Sequence, residues 1–320
     1  MKQFLASCGW AGAQALPLAG DASARRYTRL TQKGESAILM EDPEGDVALF
    51  ARLARHLTRL GLSAPKILAD DATRGLLLLE DLGDGLIARL ALDGETEKRL
   101  YLCATDALIA LHGHSPAPGL PKATPDFLAN MTDLAFDWYT SAPKAKLAVI
   151  AAFVPIFEAH ALPADVMVLR DYHAENILHL PSRTGAAQAG LLDFQDALEG
   201  HRAYDLISLI EDARRDVAPD TSKACISHYL GATGQPEEPF RASLAVLGAQ
   251  RNLRILGVFA RLAATRGKPH YIDLIPRVWN HLQTDLRHPA LAPVRDLILD
   301  TLPEPTDTHL ERLKTPCPTP

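Results

Sequence analysis

The chain has 320 residues, of which 47% are apolar, 22% charged and 6% aromatic, the balance of an ordinary globular protein. At that length it buries a core without disulfide or metal staples. Lys and Arg number 33 against 39 Asp and Glu, a formal charge of −6, which argues against a protein built to neutralise nucleic-acid phosphates. Cys8, Cys103, Cys225 and Cys317 have no paired spacing and read as free thiols of a reducing compartment. No apolar run reaches the ~18 residues of a membrane span. The apolar start after Lys2 is interrupted by Ser7, Cys8 and Gly9, a poor signal peptide even with Ala11-Gly12-Ala13 as a cleavage site, so a cytoplasmic location is expected. The sequon at Asn130 then carries no weight.

In chain order, the β-prone runs Tyr27–Thr31 and Ala37–Met40 flank Gln32-Lys33-Gly34-Glu35, a hairpin signal. Val47, Phe50, Leu53, Ala54, Leu57 and Leu60 recur at helical spacing before a stop at Gly61. Short strands are expected at Lys66–Ala69 and Leu76–Leu79, with a turn over Asp70–Gly75. After Glu80 helical periods dominate, at about 96–113, 145–161, 203–214, 240–265 and 272–286. Strand fragments at Val166–Leu169, Asn176–His179 and Gly190–Leu192 interrupt them. The Pro/Thr-rich stretch 303–320 reads as a disordered tail.

The most informative segment is Leu169-Arg170-Asp171-Tyr172-His173-Ala174-Glu175-Asn176, an Asp and an Asn five residues apart in a loop between short apolar strands. Further on, Leu191-Leu192-Asp193-Phe194-Gln195 delivers a second carboxylate from a strand into a turn. One carboxylate accepts the proton of an attacking hydroxyl, while an amide oxygen and a second carboxylate suit a hard cation bridging phosphates. Taken singly, each aspartate is what most loop aspartates are, a turn or cap carboxylate; the combination is specific.

On these residues the chain resembles the protein-kinase-like fold in its aminoglycoside phosphotransferase and choline kinase branch, over about Gly20 to Leu282. The matching kinase segments are H-R-D-x-x-x-x-N and D-F-G; here Leu169 stands for the His and Gln195 for the Gly. The resemblance implies an α+β bilobal fold, with a small β-rich nucleotide-binding lobe (1–81) and a larger, mainly helical lobe (82–302). It implies ATP and Mg²⁺ as cofactors, Asp171 as base, and Asn176 and Asp193 as metal ligands. It makes Asp205, in Ala203-Tyr204-Asp205-Leu206, a buttress of the catalytic loop; a helix N-terminal carboxylate satisfies the same pattern, and both hold together. Leu76–Gly83 looks like the linker strand whose backbone at Glu80 to Leu82 bonds adenine. Gly83-Asp84-Gly85-Leu86-Ile87-Ala88 formally matches a dinucleotide fingerprint, but Glu80, Asp81 and Asp84 would repel a pyrophosphate and no strand–helix–strand unit surrounds it.

The phosphate loop is poor in glycine: Gly20-Asp21-Ala22-Ser23-Ala24-Arg25-Arg26-Tyr27 carries one, with Ser23, Arg25 and Arg26 as candidate phosphate contacts. The family's strand lysine falls near Met40, where no lysine stands, and Lys33 and Lys66 lie elsewhere. Arg25 or Arg26 is the substitute cation, since guanidinium binds phosphate bidentately; solvated loop charges read equally well. The acid that would pair with such a cation is absent from Val47–Leu60.

Asp-Ala-Ser-x-Arg-Arg-Tyr, Leu-Met-Glu-Asp-Pro, Arg-Asp-Tyr-His-x-x-Asn, Asp-Phe-Gln-Asp-Ala and Arg-Asn-Leu-Arg-Ile-Leu-Gly-Val-Phe-Ala-Arg-Leu together are similar to the bacterial anomeric sugar kinases of cell-wall recycling. That resemblance implies phosphorylation of the C1 hydroxyl of N-acetylmuramate or N-acetylglucosamine. Arg251, Arg254 and Arg261 share one helix face, fit for a carboxylate or for solvent. Trp138, in Phe136-Asp137-Trp138-Tyr139, is a stacking surface for a sugar or part of a core. Asp196 binds a sugar hydroxyl or caps the next helix, and His173 orders the loop rather than acting as base. The expected partner is a small sugar met by a monomer, with neither nucleic acid nor membrane. The rivals are a kinase of an amino-alcohol or aminoglycoside, and a nucleotide-binding protein without activity.

Overall fold

The computed structural model describes residues 1–18 and 25–315. Two compact units emerge: residues 1–117 with 174–196, and residues 118–173 with 197–320. The first begins with α1 (Lys2–Ser7), β1 (Gln14–Pro17), β2 (Arg26–Gln32) and β3 (Glu35–Glu41). Lys33 and Gly34, both at positive φ, turn the β2–β3 hairpin. α2 (Val47–Arg59), β4 (Ile67–Asp71) and β5 (Leu76–Glu80) follow, and the five strands pair antiparallel in the order β1-β2-β3-β5-β4. Strand alternation places Leu30, Ala37, Leu39, Leu76 and Leu78 in one cluster with Phe4 of α1. Asp46 caps α2 by accepting from the Leu49 N–H (2.8 Å).

Two glycines shape the end of β3. Gly75 sits at φ +65°, and a Cβ there would collide with the Asp42 backbone; a Cβ at Gly45 would collide with the Asp42 carboxylate. The buried Asp42 is therefore seated between two positions that tolerate no side chain.

α3 (Ile87–Leu90) and α4 (Gly94–His112) continue the first unit. The second unit holds α5 (Pro125–Asn130), a π-turn over Ala135–Tyr139, α6 (Pro143–His160) and β6 (Val166–Val168). Residues 174–196 belong to the first unit and form the hairpin β7 (Ile177–His179) and β8 (Ala189–Leu191). Back in the second unit, β9 (Leu198–Gly200) pairs antiparallel with β6. Then come α7 (Ala203–Ile210), α8 (Pro219–Thr233), the 30-residue α9 (Glu237–Arg266), α10 (Ile275–Asp285), α11 (Ala292–Thr301) and α12 (Asp307–Lys314). α9 is the organising helix, packing against α7, α10, α6 and the π-turn.

Three expectations need correction. The stretch 303–320 is not a disordered tail throughout: Thr306 caps α12 by accepting from the His309 N–H (3.3 Å), and His309 packs edge-on to Tyr139 at 4.7 Å. The helix expected over 203–214 stops at Ile210, and that over 272–286 opens as a 3₁₀ turn, Pro269–Leu274. The sheet ends at Glu80, and the compact first unit continues to residue 117.

α7 ends where Glu211 turns inward. Asn252 of α9 donates to Glu211 Oε2 (2.9 Å) and to Asp285 Oδ2 (3.0 Å), the last residue of α10. Burial disfavours charge on both acids, lifting Glu211 to about 7 and Asp285 well above its ordinary range, so Asp285 keeps its proton and donates to Glu211. The unfolded chain gives up that proton near pH ~4. The stabilisation is thus complete below about pH 4 and drains away as pH rises through the raised folded values. Asp285→Asn preserves the donated hydrogen bond and removes the titration. In thermal melts, the Tm of this variant relative to wild type should climb by about 2 °C or more between pH 5 and 8; a difference that does not vary with pH would mean no retained proton.

Candidate active site

In the second unit the site is built around a buried carboxylate. Asp205, in the first turn of α7 and fully buried, accepts from the Leu169 N–H (2.6 Å) and the Arg170 N–H (2.9 Å) just past β6. The Asp171 N–H donates to the Leu169 carbonyl (3.0 Å), closing a γ-turn in which Arg170 is held at φ +72°. Ser208 Oγ donates to the Arg170 carbonyl (3.2 Å). A non-glycine residue in this region costs roughly 1–3 kcal/mol; the bonds from Asp205 and Ser208 hold it there. Burial pushes the Asp205 carboxyl up to about 7 against the pull of its two N–H donors and of Arg251. Burial likewise drives His173 well below its ordinary range. Arg214 Nη1, which can only donate, lies 3.0 Å from His173 Nε2, so the ring is neutral and accepts there, a group that packs the loop.

In the first unit, Asn176 and Asp193 are drawn together by the backbone: the Leu192 N–H donates to the Asn176 carbonyl (3.0 Å). Asp193 sits at φ +55°. On one side Phe194 is buried against Phe50 of α2, ring centres 4.8 Å apart. On the other, Gln195 Nε2 donates to Asp193 Oδ1 (2.8 Å). Arg25 Nε binds Asp42 Oδ2 (2.7 Å), and Arg25 Nη1 reaches Asp193 Oδ1 (3.4 Å). Burial works against the Arg25 charge, but the Asp42 hydrogen bond, Tyr27 and Asp193 outweigh it and raise its pKa. Met40, opposite Tyr27 and Leu77 in the sheet, is wholly buried, so the strand position searched for a lysine belongs to the core. Arg26 is exposed at the start of β2, opposite Glu41 at the end of β3, and Ser23 lies outside the described residues. Asn176 offers an amide oxygen and Asp193 a half-exposed carboxylate, the hard-oxygen donor types that Mg²⁺ accepts alongside phosphates and water.

The strand that was expected to bond adenine ends in a clamp. Arg183 Nη2 meets Glu80 Oε1 (2.6 Å), and Arg29 binds both Asp81 (2.7 Å) and Asp84 (2.8 Å). The turn at Leu82 is thereby fixed from two sides. Asp42, Arg29 and Arg183 were not anticipated from the sequence; the signal for Asp42 was the Leu39-Met40-Glu41-Asp42-Pro43 strand end, whereas the salt-bridge partners pair over 52 to 103 positions and leave no local pattern.

Among the remaining candidates, Arg254 of α9 lies near Asp171 and Tyr204, while Arg261 is exposed. Trp138 is 37% exposed beside the fully buried Phe136 and Tyr139, so the neighbouring aromatics are core. Asp196 is exposed ahead of β9, which removes its helix-cap reading because a strand intervenes before α7.

Residues 14–243 match the family described as the phosphotransferase enzyme family (APH). The chain belongs to this family. It is 39% identical to the N-acetylmuramate/N-acetylglucosamine kinase of Caulobacter vibrioides, over 91% of this chain and 93% of that protein. It is 32% identical to the protein of that name from Pseudomonas aeruginosa, over 95% and 94%. A choline/ethanolamine kinase family protein from Mesorhizobium loti shares the fold at a TM-score of 0.64 and 15% identity, over 98% of this chain and 99% of that one. The fold is thus the protein-kinase-like one, with an antiparallel-sheet N-lobe and a larger helical part, and the chain is a kinase.

In this phosphotransferase, Asp205→Asn should break the two-bond grip on the loop while the fold persists. Steady-state kinetics should give a kcat lower by about a hundredfold, with little change in KM for ATP. A wild-type kcat would separate the grip from the chemistry.

Proposed function

We propose that the chain transfers the γ-phosphoryl group of ATP to the anomeric C1 hydroxyl of N-acetylmuramate, N-acetylglucosamine or both. The observation that carries this reading is the 39% identity, across nearly the whole of both chains, to a kinase named for those two sugars.

Asp171, presented by the γ-turn, accepts the proton of the attacking hydroxyl. An anomeric hydroxyl is more acidic than an ordinary alcohol, so a carboxylate suffices as base. Asn176 and Asp193 would hold Mg²⁺, which when bound would neutralise phosphate charge. Arg25 supplies the cation that the strand position of Met40 does not, and Asp42 orients it as an acid on a kinase helix would orient a lysine. The backbone at Glu80 and Leu82 receives adenine, with Arg183 and Arg29 fixing the turn. Ser23 and Arg26 are further phosphate contacts. Catalysis on this scheme is positioning and electrostatics.

Support against the rivals comes from charge. A cationic amino-alcohol or aminoglycoside calls for acids around the base, yet Arg254 lies near Asp171, with Arg170 and Arg251 close by in turn. An inactive nucleotide binder has no use for a strained loop held by Asp205.

ADP release with Mg-ATP should be observed on the two acetylated sugars and not on choline or an aminoglycoside, with phosphate located at C1 by NMR. Asp171→Ala should lower kcat by about 10²–10⁴-fold, the usual worth of a general base, without loss of cooperative melting. Turnover confined to the cationic compounds, phosphate at another hydroxyl, or near-normal turnover by Asp171→Ala would each overturn the corresponding part of the scheme.

A further inference from the structure

We propose that Arg254 binds a carboxylate of the sugar substrate and so separates N-acetylmuramate, which carries a lactyl carboxylate, from N-acetylglucosamine, which carries none. The inference rests on the sugar-kinase reading above.

α9 carries two inward-facing arginines one turn apart, and their surroundings differ. Arg251 is buried, its Nη1 without a hydrogen-bond partner, and its charge is felt by Asp205, Glu211 and Asp285. Arg254 is only partly buried, and its neighbours are Tyr204, Arg170, Asp171 and Arg251. Among the described residues it makes no hydrogen bond or ion pair. A half-buried guanidinium with no partner in the protein is open to an anion. Here the protein offers two like charges and one carboxylate, Asp171, which the reaction requires to remain free. Burial accordingly lowers the affinity of Arg254 for its proton. The missing partner is an anion that arrives with the substrate, beside the candidate base.

Two anions meet that description: a carboxylate on the acceptor and the phosphoryl group in transfer. The carboxylate is favoured because, on the proposed scheme, Arg25 and the metal ligands serve the phosphates. C1 and the lactyl ether sit on one sugar ring, so a base for the first and a cation for the second must be near neighbours, as Asp171 and Arg254 are. The planar fork of arginine binds a carboxylate through two bonds, which lysine does not reproduce.

The test compares wild type, Arg254→Gln and Arg254→Lys as full-length protein, with kcat and KM measured on both sugars at saturating Mg-ATP, and melting curves run in parallel. Arg254→Gln should raise KM for N-acetylmuramate about 10- to 100-fold, the worth of a charge-assisted hydrogen bond, and leave the N-acetylglucosamine constants within about twofold. Arg254→Lys should fall between the two, and it carries the comparison if the Gln variant fails to melt cooperatively. An equal fall in kcat on both sugars would assign Arg254 to the phosphoryl group and overturn the inference. Unchanged kinetics on both sugars, or a wild type that accepts only N-acetylglucosamine, would overturn it as well. A wild type that phosphorylates neither sugar is the distinct failure of the reading beneath it.

Discussion

The second unit depends on one carboxylate that meets no water. Asp205 accepts two backbone N–H groups from the chain leaving β6, and in doing so sets the direction in which Asp171 is presented. The alternatives are closed off by physics. Without Asp205 two buried N–H donors would be stranded. Without those donors Asp205 would be a buried charge whose desolvation already lifts its pKa to about 7. Each side of the contact is tolerable only because the other exists. That mutual dependence is what keeps Arg170 at a backbone angle an arginine rarely adopts.

The first unit solves a different problem with the same economy. Met40 occupies a strand position too well packed to carry a charge, and Arg25 stands in the chain just before β2. An arginine coming from a loop is longer and freer than a lysine fixed on a strand, and it needs an anchor. Asp42 provides it, and Asp42 in turn fits only because Gly45 and Gly75 have no side chains. The Arg25 guanidinium thus depends on two glycines far from it in sequence.

Much of this was legible before any coordinates. The hairpin, α2, β4, β5, α4, α6 and α9 follow periodicities that burial preserves, and Asp171, Asn176 and Asp193 stand in a spacing few structural loops reproduce. What was missed has physical causes. β9 is three residues long, too short for alternation to show. α8 buries only Thr221, Cys225, Ile226 and Tyr229, a stripe too weak to stand out. α7 stops early because Glu211 bonds Asn252 from another helix, a partnership that helical period does not encode. α12 was hidden by a Pro/Thr bias that signals disorder on average but here supplies Thr306 as its cap. Asp42 escaped notice because the acid was sought on a helix, whereas the chain places it at a strand end.

Charge in this protein is best judged by where it is buried. Surface pairs such as Arg241–Glu237 or Arg295–Asp296 stand in water and are worth little. The consequential groups are those the fold has dehydrated: Asp205 satisfied by backbone, Arg25 by Asp42, and Glu211 and Asp285 by a retained proton with Asn252. In each case the fold supplies the compensation. Arg254, on the same helix as Asn252, has no hydrogen bond or ion pair from the fold, and that opening is where the proposed acceptor carboxylate would sit.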